Sequence, residues 1–418
     1  MISTGRDAVL RLWAQEPYRF FFLLAPVSGM IGIGHWIFYA MGWIPHYSMI
    51  FHSSIQIHAY IGAFVFGFLL TALPRFSSSP PCTRTEFFTF VFLMISMIAA
   101  YGNMWFTAGR ICFALMLLDF VFFALRRFKQ KRDSAVVPPV EFLWLPTGIL
   151  SALTGVLLSL VAQSSVSVKL SKLLIEQAFL LSIVVGIGSF LGPRLMGTFK
   201  TAAGPIPESP DVRNRRRALW IHSGYAFLLL LSFLIEAFGR VRTAFFLRSA
   251  VVMTIYIRSG ALVRRPLANE DYVWMLWMSF WMVTMGHAAI AFFPAFRTLF
   301  LHLVFLGGYS AMTFAVGTMV IFSHGGKPQA LRKRSWRFRG TFVFLIAATV
   351  VRLISVMFPF LYFQFLAAAS VLWFLSGLFW LLYVAPLVFS FPGQENFEQC
   401  HDEAKQRIAN LSRDRHAL

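Results

Sequence analysis

The side chains best suited to chemistry in this sequence are its ten histidines. Five of them lie in long apolar stretches or at the start of one: His35, His52, His58, His287 and His302. Neutral imidazole is a common ligand for iron and copper, and an ionisable side chain is costly to place in hydrocarbon. Histidines in such stretches therefore indicate either a bound metal or cofactor, or hydrogen bonds between helices.

The composition indicates the kind of scaffold that carries these histidines. Of the 418 residues, 58% are hydrophobic and only 13% are charged, whereas a soluble domain has about 25% charged residues. A water-soluble fold could not cover this much apolar surface, so we predict an all-α, polytopic integral membrane bundle. The three cysteines, Cys82, Cys112 and Cys400, have neither a disulfide-framework nor a metal-site spacing, and we expect them to be inert.

Twelve apolar stretches are about long enough to cross a bilayer as helices. They run over Phe20 to Trp43, Phe51 to Leu73, Phe87 to Trp105, Ile111 to Leu125, Phe142 to Ala162, Leu173 to Gly192, Ala218 to Phe238, Ala244 to Val263, Val273 to Phe293, Thr298 to Phe322, Gly340 to Met357 and Tyr362 to Phe391. The sequence thus predicts a twelve-helix domain over 20–391, between an amino-terminal segment, 1–19, and a carboxy-terminal tail, 392–418.

The basic residues predict the orientation of these helices. Dense clusters occupy alternate connections, at Arg126 to Arg132, Arg194 to Arg217 and Lys327 to Arg339, whereas the other connections carry few cations. Because cytoplasmic loops are enriched in Lys and Arg, both termini of this multi-pass membrane protein are predicted to be cytoplasmic. The net charge of +20 is then accounted for by topology and by contact with membrane lipids, and nucleic acid is not expected as a partner.

This orientation places four histidines from different spans at one depth, about 8 to 12 Å below the outer boundary. They are His35, His58, His287 and His302. A shared depth favours a metal or cofactor over four separate hydrogen bonds. Spacing limits the combinations: His302 and His324 would lie about 33 Å apart on one helix, and His52 and His58 would point roughly 120° away from each other.

Other features of the spans leave two interpretations open. The arginines within spans, Arg248, Arg258 and Arg352, could neutralise haem propionates or pair with acids such as Asp119, Glu176 or Glu236, and pairing is the favoured interpretation. Small residues between Gly307 and Gly317 would let a neighbouring helix or a flat macrocycle approach the backbone.

Several strings are recognisable when taken together. They are YRFFFLLAP at Tyr18 to Pro26, FHSSIQIHAYIGAFVFGFLLTALPRF at Phe51 to Phe76, FLGPRLMGTF at Phe190 to Phe199 and HLVFLGGYSAMTFAVGTMVIFSHGGKP at His302 to Pro328. In combination they resemble the NnrS family of haem- and copper-containing bacterial membrane proteins linked to nitric oxide metabolism and tolerance.

The resemblance implicates His52, His302 and His324 in cofactor binding. It implies haem and copper as cofactors, nitric oxide as a small-molecule ligand and a respiratory electron donor as a partner.

The chain departs from the family pattern at the start of the second span. The family typically has Trp-His-x-His-Glu there, and this sequence has Phe-His-Ser-Ser-Ile at 51–55, so a histidine and a glutamate are absent. A ninth-span histidine is likewise replaced by Trp277. His58 and His287, together with His35, are therefore expected as alternative metal ligands. Because Ile55 occupies the carboxylate position, no general acid or base is assigned.

The leading hypothesis is a haem- and metal-binding inner-membrane protein of the NnrS type. A haem-copper oxidase or nitric oxide reductase core would need adjacent histidines and a His-x-His pair, and neither occurs. The hypothesis from a different class is a cofactor-free transporter or lipid-handling protein whose histidines pack or relay protons.

Overall fold

Every regular element in the described part of the chain is a helix. The structure is a computed structural model that describes residues 5–130, 138–198 and 212–390. The predicted carboxy-terminal tail, 392–418, lies outside the described residues, as do residues 1–4 of the amino-terminal segment. So do 131–137 of the basic connection after the fourth predicted span and 199–211 of the basic connection before the seventh.

Thirteen helices follow one another through the described residues. They are α1 (Gly5–Gln15), α2 (Tyr18–Ala40), α3 (Met49–Phe76), α4 (Arg84–Gly102), α5 (Phe106–Lys129), α6 (Val140–Val161), α7 (Ser165–Leu195), α8 (Val212–Ala237), α9 (Val241–Ser259), α10 (Asp271–Phe292), α11 (Pro294–His324), α12 (Trp336–Met357) and α13 (Pro359–Val388). Each of α2 to α13 coincides with one predicted span.

Eleven of these helices are long and apolar enough to cross a membrane by length and composition, which confirms the prediction of a multi-pass all-α membrane fold. The exception among the twelve predicted spans is α9, a 19-residue helix. Its three arginines, Arg242, Arg248 and Arg258, make it too charged for that criterion. The predicted and observed bounds differ most for α7, which begins eight residues before Leu173, the predicted start of this span.

Local capping residues set the beginnings of several helices. The Ser48 hydroxyl accepts a hydrogen bond from the backbone N–H of Phe51 at 3.1 Å and begins α3. Thr83 and Glu86 exchange side-chain and backbone hydrogen bonds at the start of α4. Such caps satisfy backbone N–H groups that have no partner within the helix.

Three helices contain π-helical turns: Ile55–Ile61 in α3, Leu174–Ala178 in α7 and Leu303–Tyr309 in α11. A π-helical turn holds an extra residue, has poorer hydrogen-bond geometry than an α-helix and often occurs at a functional site. Here the turns contain His58 and Glu176 or directly follow His302. Two of the three turns therefore lie at predicted ligand histidines, and the third contains an acid within an apolar stretch.

The helices form two compact units. Unit 1 comprises Met1–His35, Pro45–Pro139 and Ile149–Phe179, and it contains His35, His52 and His58. Unit 2 comprises Trp36–Ile44, Val140–Gly148 and Leu180–Leu418, and it contains His287 and His302. The single histidine layer through four spans stays a prediction, and each unit is considered separately below.

Candidate functional site

Two histidines of unit 1 lie side by side on neighbouring helices. His35 of α2 and His52 of α3 have ring centroids 6.0 Å apart. The Nδ1 of His52 is 3.0 Å from the backbone carbonyl oxygen of Gly32. Because a carbonyl only accepts, Nδ1 carries the proton, and in the neutral ring Nε2 has the lone pair. Such a hydrogen bond fixes the tautomer and the orientation of the ring.

The position of Gly32 explains why α2 and α3 approach so closely beside this pair. A Cβ atom at Gly32 would lie 2.8 Å from Gln56 Nε2 and 2.8 Å from Ile55 Cγ2, closer than packed atoms allow. Gln56 also crosses to α2, where its amide donates to the Gly29 carbonyl at 2.7 Å. These contacts fix the distance between the two helices and with it the separation of the two imidazoles.

The separation of the pair fits a shared metal ion. Metal–nitrogen bonds to imidazole are about 2 Å long, so two rings bound in line have centres about 6 Å apart. Within the described ranges, no set of three or more His, Cys, Asp or Glu side chains is placed to hold a metal. The ring separation is thus that of two imidazoles on one metal, and the described residues form no protein cage of three or four ligands.

A carboxylate reaches this region from another helix. Ser53, the neighbour of His52, donates its hydroxyl to Glu176 Oε1 at 3.1 Å. Glu176 lies in the π-helical turn of α7, where the sequence alone indicates only a partner for an arginine. Glu176 thus brings a carboxylate from α7 to the start of α3, where the family pattern has a glutamate and this chain has Ile55. An acidic residue inside an apolar stretch is the sequence feature that indicates such a role.

His58 is enclosed deeper in unit 1. Its Nδ1 is 2.8 Å from the Tyr101 hydroxyl, and its ring stacks on Phe113 with centroids 4.2 Å apart. The side chain is 2% exposed, and its Nε2 is buried with no hydrogen-bond partner among the described residues. A buried nitrogen without a partner is unfavourable. His58 is therefore both a helix-to-helix contact and a side chain with one nitrogen available for a ligand.

In unit 2, His287 lies in the helix core. Its Nδ1 donates to the Val283 carbonyl at 2.8 Å, its ring stacks on Phe245, and it is 2% exposed. Beside it, a Cβ at Gly308 would lie 2.5 Å from Val283 Cγ2. The sequence left two neighbours possible for the small residues of α11, a helix or a flat macrocycle. At Gly308 the neighbour is helix α10, and its close approach leaves no space there for a macrocycle.

His302 is half-buried near the start of α11, and its Nδ1 donates to the Thr298 carbonyl at 2.7 Å. It therefore has the same tautomer as His52 and His287. His324 is the last residue of the same continuous helix, 22 positions later. At 1.5 Å per residue the two histidines are about 33 Å apart, so they cannot share one metal or one haem.

The other two histidines in the described ranges differ from these. Trp144 Nε1 donates to Nδ1 of His222 at 3.1 Å, so in the neutral ring the proton is on Nε2. His46 is exposed in the connection between α2 and α3. Neither has the carbonyl-bound Nδ1 that directs Nε2 towards a ligand.

Arginine pairs bridged by a single carboxylate recur in both units. Three acids each accept from two arginines: Glu16 from Arg19 and Arg75, Glu86 from Arg126 and Arg127, and Glu236 from Arg248 and Arg297. The pairing expected for Arg248 is confirmed at 2.7 Å, with both Arg248 and Glu236 fully buried. For Arg352 the expectation of an acidic partner is wrong, because it donates to the Ser355 hydroxyl and lies over the Tyr362 ring.

Cys82 lies in the connection between α3 and α4, near Glu86, and it is 2% exposed. Burial, reinforced by the Glu86 carboxylate, raises the pKa of this thiol to about 12. The thiolate is the reactive form, so at about pH 8 we expect alkylation by iodoacetamide roughly a thousandfold slower than for an exposed cysteine.

This rate is measured on a variant with Cys112→Ser and Cys400→Ser, so that Cys82 is its one thiol. We expect the rate to rise about tenfold per pH unit and the thiol to react at the ordinary rate after unfolding. Rapid alkylation of the folded protein near neutral pH would contradict the expectation.

The sequence model of the family described as NnrS protein matches residues 12–390. The chain belongs to the NnrS family. This membership links it to the nitric oxide response, and the matched interval includes all six histidines singled out from the sequence. No curated protein matches this NnrS chain.

Proposed function

We propose that this NnrS protein is a haem- and metal-binding protein of the inner membrane that acts in nitric oxide tolerance or metabolism. The observation that carries the proposal is the His35–His52 pair of unit 1, with its 6.0 Å separation and the Nδ1 of His52 fixed on the Gly32 carbonyl. Family membership supports the nitric oxide part of the proposal.

The proposal assigns separate tasks to the two units. His35 and His52 hold a metal, for which copper is the candidate because imidazole suits it. His302, whose Nδ1 is bound to the Thr298 carbonyl, is the candidate haem ligand in unit 2. When bound there, haem would supply an iron atom that can take nitric oxide as a ligand.

Three further histidines have narrower roles in the proposal. His58 provides the buried Nε2 next to Tyr101, which makes it a second ligand candidate in unit 1. His324 is too far from His302 to serve the same group and would need a group of its own. His287 is tightly packed, so any metal there would have to be small.

The proposal is tested by purifying the protein in detergent, recording its optical spectrum and measuring its metal content. We expect a Soret band that shifts with carbon monoxide or nitric oxide, together with bound copper. Colourless protein without metal would contradict the proposal and favour a cofactor-free transporter or lipid-handling protein.

The variant His302→Ala is expected to lose at least about 90% of the Soret absorbance per protein, because it removes the candidate ligand nitrogen. The matched control is His222→Ala, since His222 is also half-buried but has the opposite tautomer. The spectrum of the control should be unchanged. Full haem retention in His302→Ala would require a different axial ligand.

A further inference from the structure

A cavity of about 320 Å³ lies where α10 and α12 begin, within unit 2. Its walls come from the connection before α10, from the connection between α11 and α12, and from side chains of α11, α12 and α13. The volume is at the lower end of the range of about 300–1,000 Å³ that is typical of ligand pockets. The positive-inside pattern places this end of the helices at the cytoplasmic face.

One wall of the cavity carries three consecutive cations, Arg332, Lys333 and Arg334. All three are exposed, and none makes a hydrogen bond or ion pair through its side chain with another described residue. The arginines bound to Glu16, Glu86 and Glu236, in contrast, each have a carboxylate partner. The positive charge on this wall is therefore available to a ligand.

The acids of the lining are fewer than its cations. They are Glu270 and Asp271, at the start of α10, and Asp271 already accepts from Arg339 Nε at 3.1 Å. Three cations and two acids therefore line the cavity, and one of the two acids is paired with an arginine outside the lining. The start of α12, at Ser335 and Phe338, also lines the cavity, and the amino-terminal end of a helix adds partial positive charge.

Part of the cavity lining is apolar and buried. Ala268, Leu331 and Phe338 are buried side chains of this lining. The Thr318 hydroxyl is already hydrogen-bonded to the Phe314 carbonyl and to Trp380. The lining thus combines exposed cations with buried apolar side chains, which fits an anionic group attached to a less polar body.

We propose that this cavity binds a phosphate-bearing ligand through Arg332, Lys333 and Arg334. Arginine and lysine are the preferred protein partners of phosphate oxygens. At the cytoplasmic face such a ligand is either the headgroup of an anionic phospholipid or a soluble phosphate compound. The proposal is independent of the metal sites and of the nitric oxide function.

The test compares Lys333→Gln/Arg334→Gln with Arg216→Gln/Arg217→Gln. The control changes the net charge equally, and its two arginines are exposed on α8, on the same predicted side, without a side-chain partner among the described residues. Each protein is placed in phosphatidylcholine nanodiscs with a minority of phosphatidylglycerol, and bound phosphatidylglycerol is counted by native mass spectrometry. Inorganic phosphate is then titrated calorimetrically.

We expect binding to weaken by roughly 30-fold in the cavity variant and by less than about threefold in the control. A third variant, Ala268→Phe, keeps every cation but adds a large side chain to the cavity lining, and it should also weaken binding. If the cavity variant loses bound phosphatidylglycerol, and inorganic phosphate neither binds the unchanged protein nor displaces that lipid from it, the ligand is a lipid headgroup. Calorimetric binding of inorganic phosphate that the cavity variant loses identifies a soluble ligand.

Two results would overturn the proposal. Equal weakening in the cavity variant and the control would show general surface attraction, and unchanged binding in all three variants would show that the cavity takes no phosphate. Circular dichroism and metal content, which should be the same in every variant, exclude unfolding as the cause.

Discussion

The His52→Ala variant should bind copper more than about 100-fold more weakly than the unchanged protein, because it removes one of only two imidazoles in the pair. His52→Gln should behave in the same way, since a glutamine amide can still donate to the Gly32 carbonyl but presents no imidazole nitrogen. Copper content after dialysis against a graded series of chelator concentrations measures this affinity.

His46→Ala is the matched control for this experiment. It removes a histidine six positions earlier that is exposed and lies outside the pair, so copper affinity should not change. Gly32→Ala gives an intermediate case, because its Cβ would contact Gln56 and Ile55 and displace α2 from α3. We expect the copper affinity of this variant to fall by about 10- to 100-fold. If His52→Ala kept its full copper affinity, the pair would not be the metal site.

The second large effect is expected from Glu236→Leu. This change leaves the Arg248 guanidinium fully buried without its carboxylate, and breaking a buried ion pair in this way lowers the free energy of unfolding by about 3–5 kcal/mol. Stacking of Arg248 between Phe233 and Phe245 cannot replace the lost charge. The loss is measured by reversible unfolding in mixed detergent micelles.

A double variant separates the charge from the packing. Glu236→Leu combined with Arg248→Met removes both buried charges, and Arg297, the other partner of Glu236, is 28% exposed and can reach water. Most of the lost stability should return. Asp271→Asn breaks the exposed pair with Arg339 and should lower stability by no more than about 1 kcal/mol. Equal losses in Glu236→Leu and in the double variant would show that packing, and not the buried charge, is decisive.

Much of the helical scaffold can be predicted from the sequence, because apolar stretches of membrane-spanning length leave few alternatives. Each of α2 to α13 falls on a predicted span. The extent of α7 is harder to predict, because its first turns, from Ser165, carry lysines and serines that do not resemble hydrocarbon-embedded residues. Its start is instead set by Ser164 and Ser167, which cap it.

The site is predictable only in its residue types. The sequence indicates His35 and His52 as ligand candidates, but their adjacency depends on the contact at Gly32, which is a property of two helices together. The link from Ser53 to Glu176 joins positions 123 residues apart, so no local pattern reveals it. For His287, burial follows from the packing of α10 on α11, which hydropathy alone does not show.

The π-helical turn at Ile55–Ile61 separates the start of α3, with His52, from the rest of the helix. An α-helix turns by about 100° per residue. Because a π-helical turn holds one residue more than an α-helical turn, deleting a single residue within 55–61 would restore regular α-helix and leave His52 on nearly the same face. Deleting one residue from the regular helix after Ile61 would instead rotate His52 by about 100° relative to the part of α3 beyond the deletion. The extra residue of the π-helical turn can therefore be lost without turning His52 away from His35.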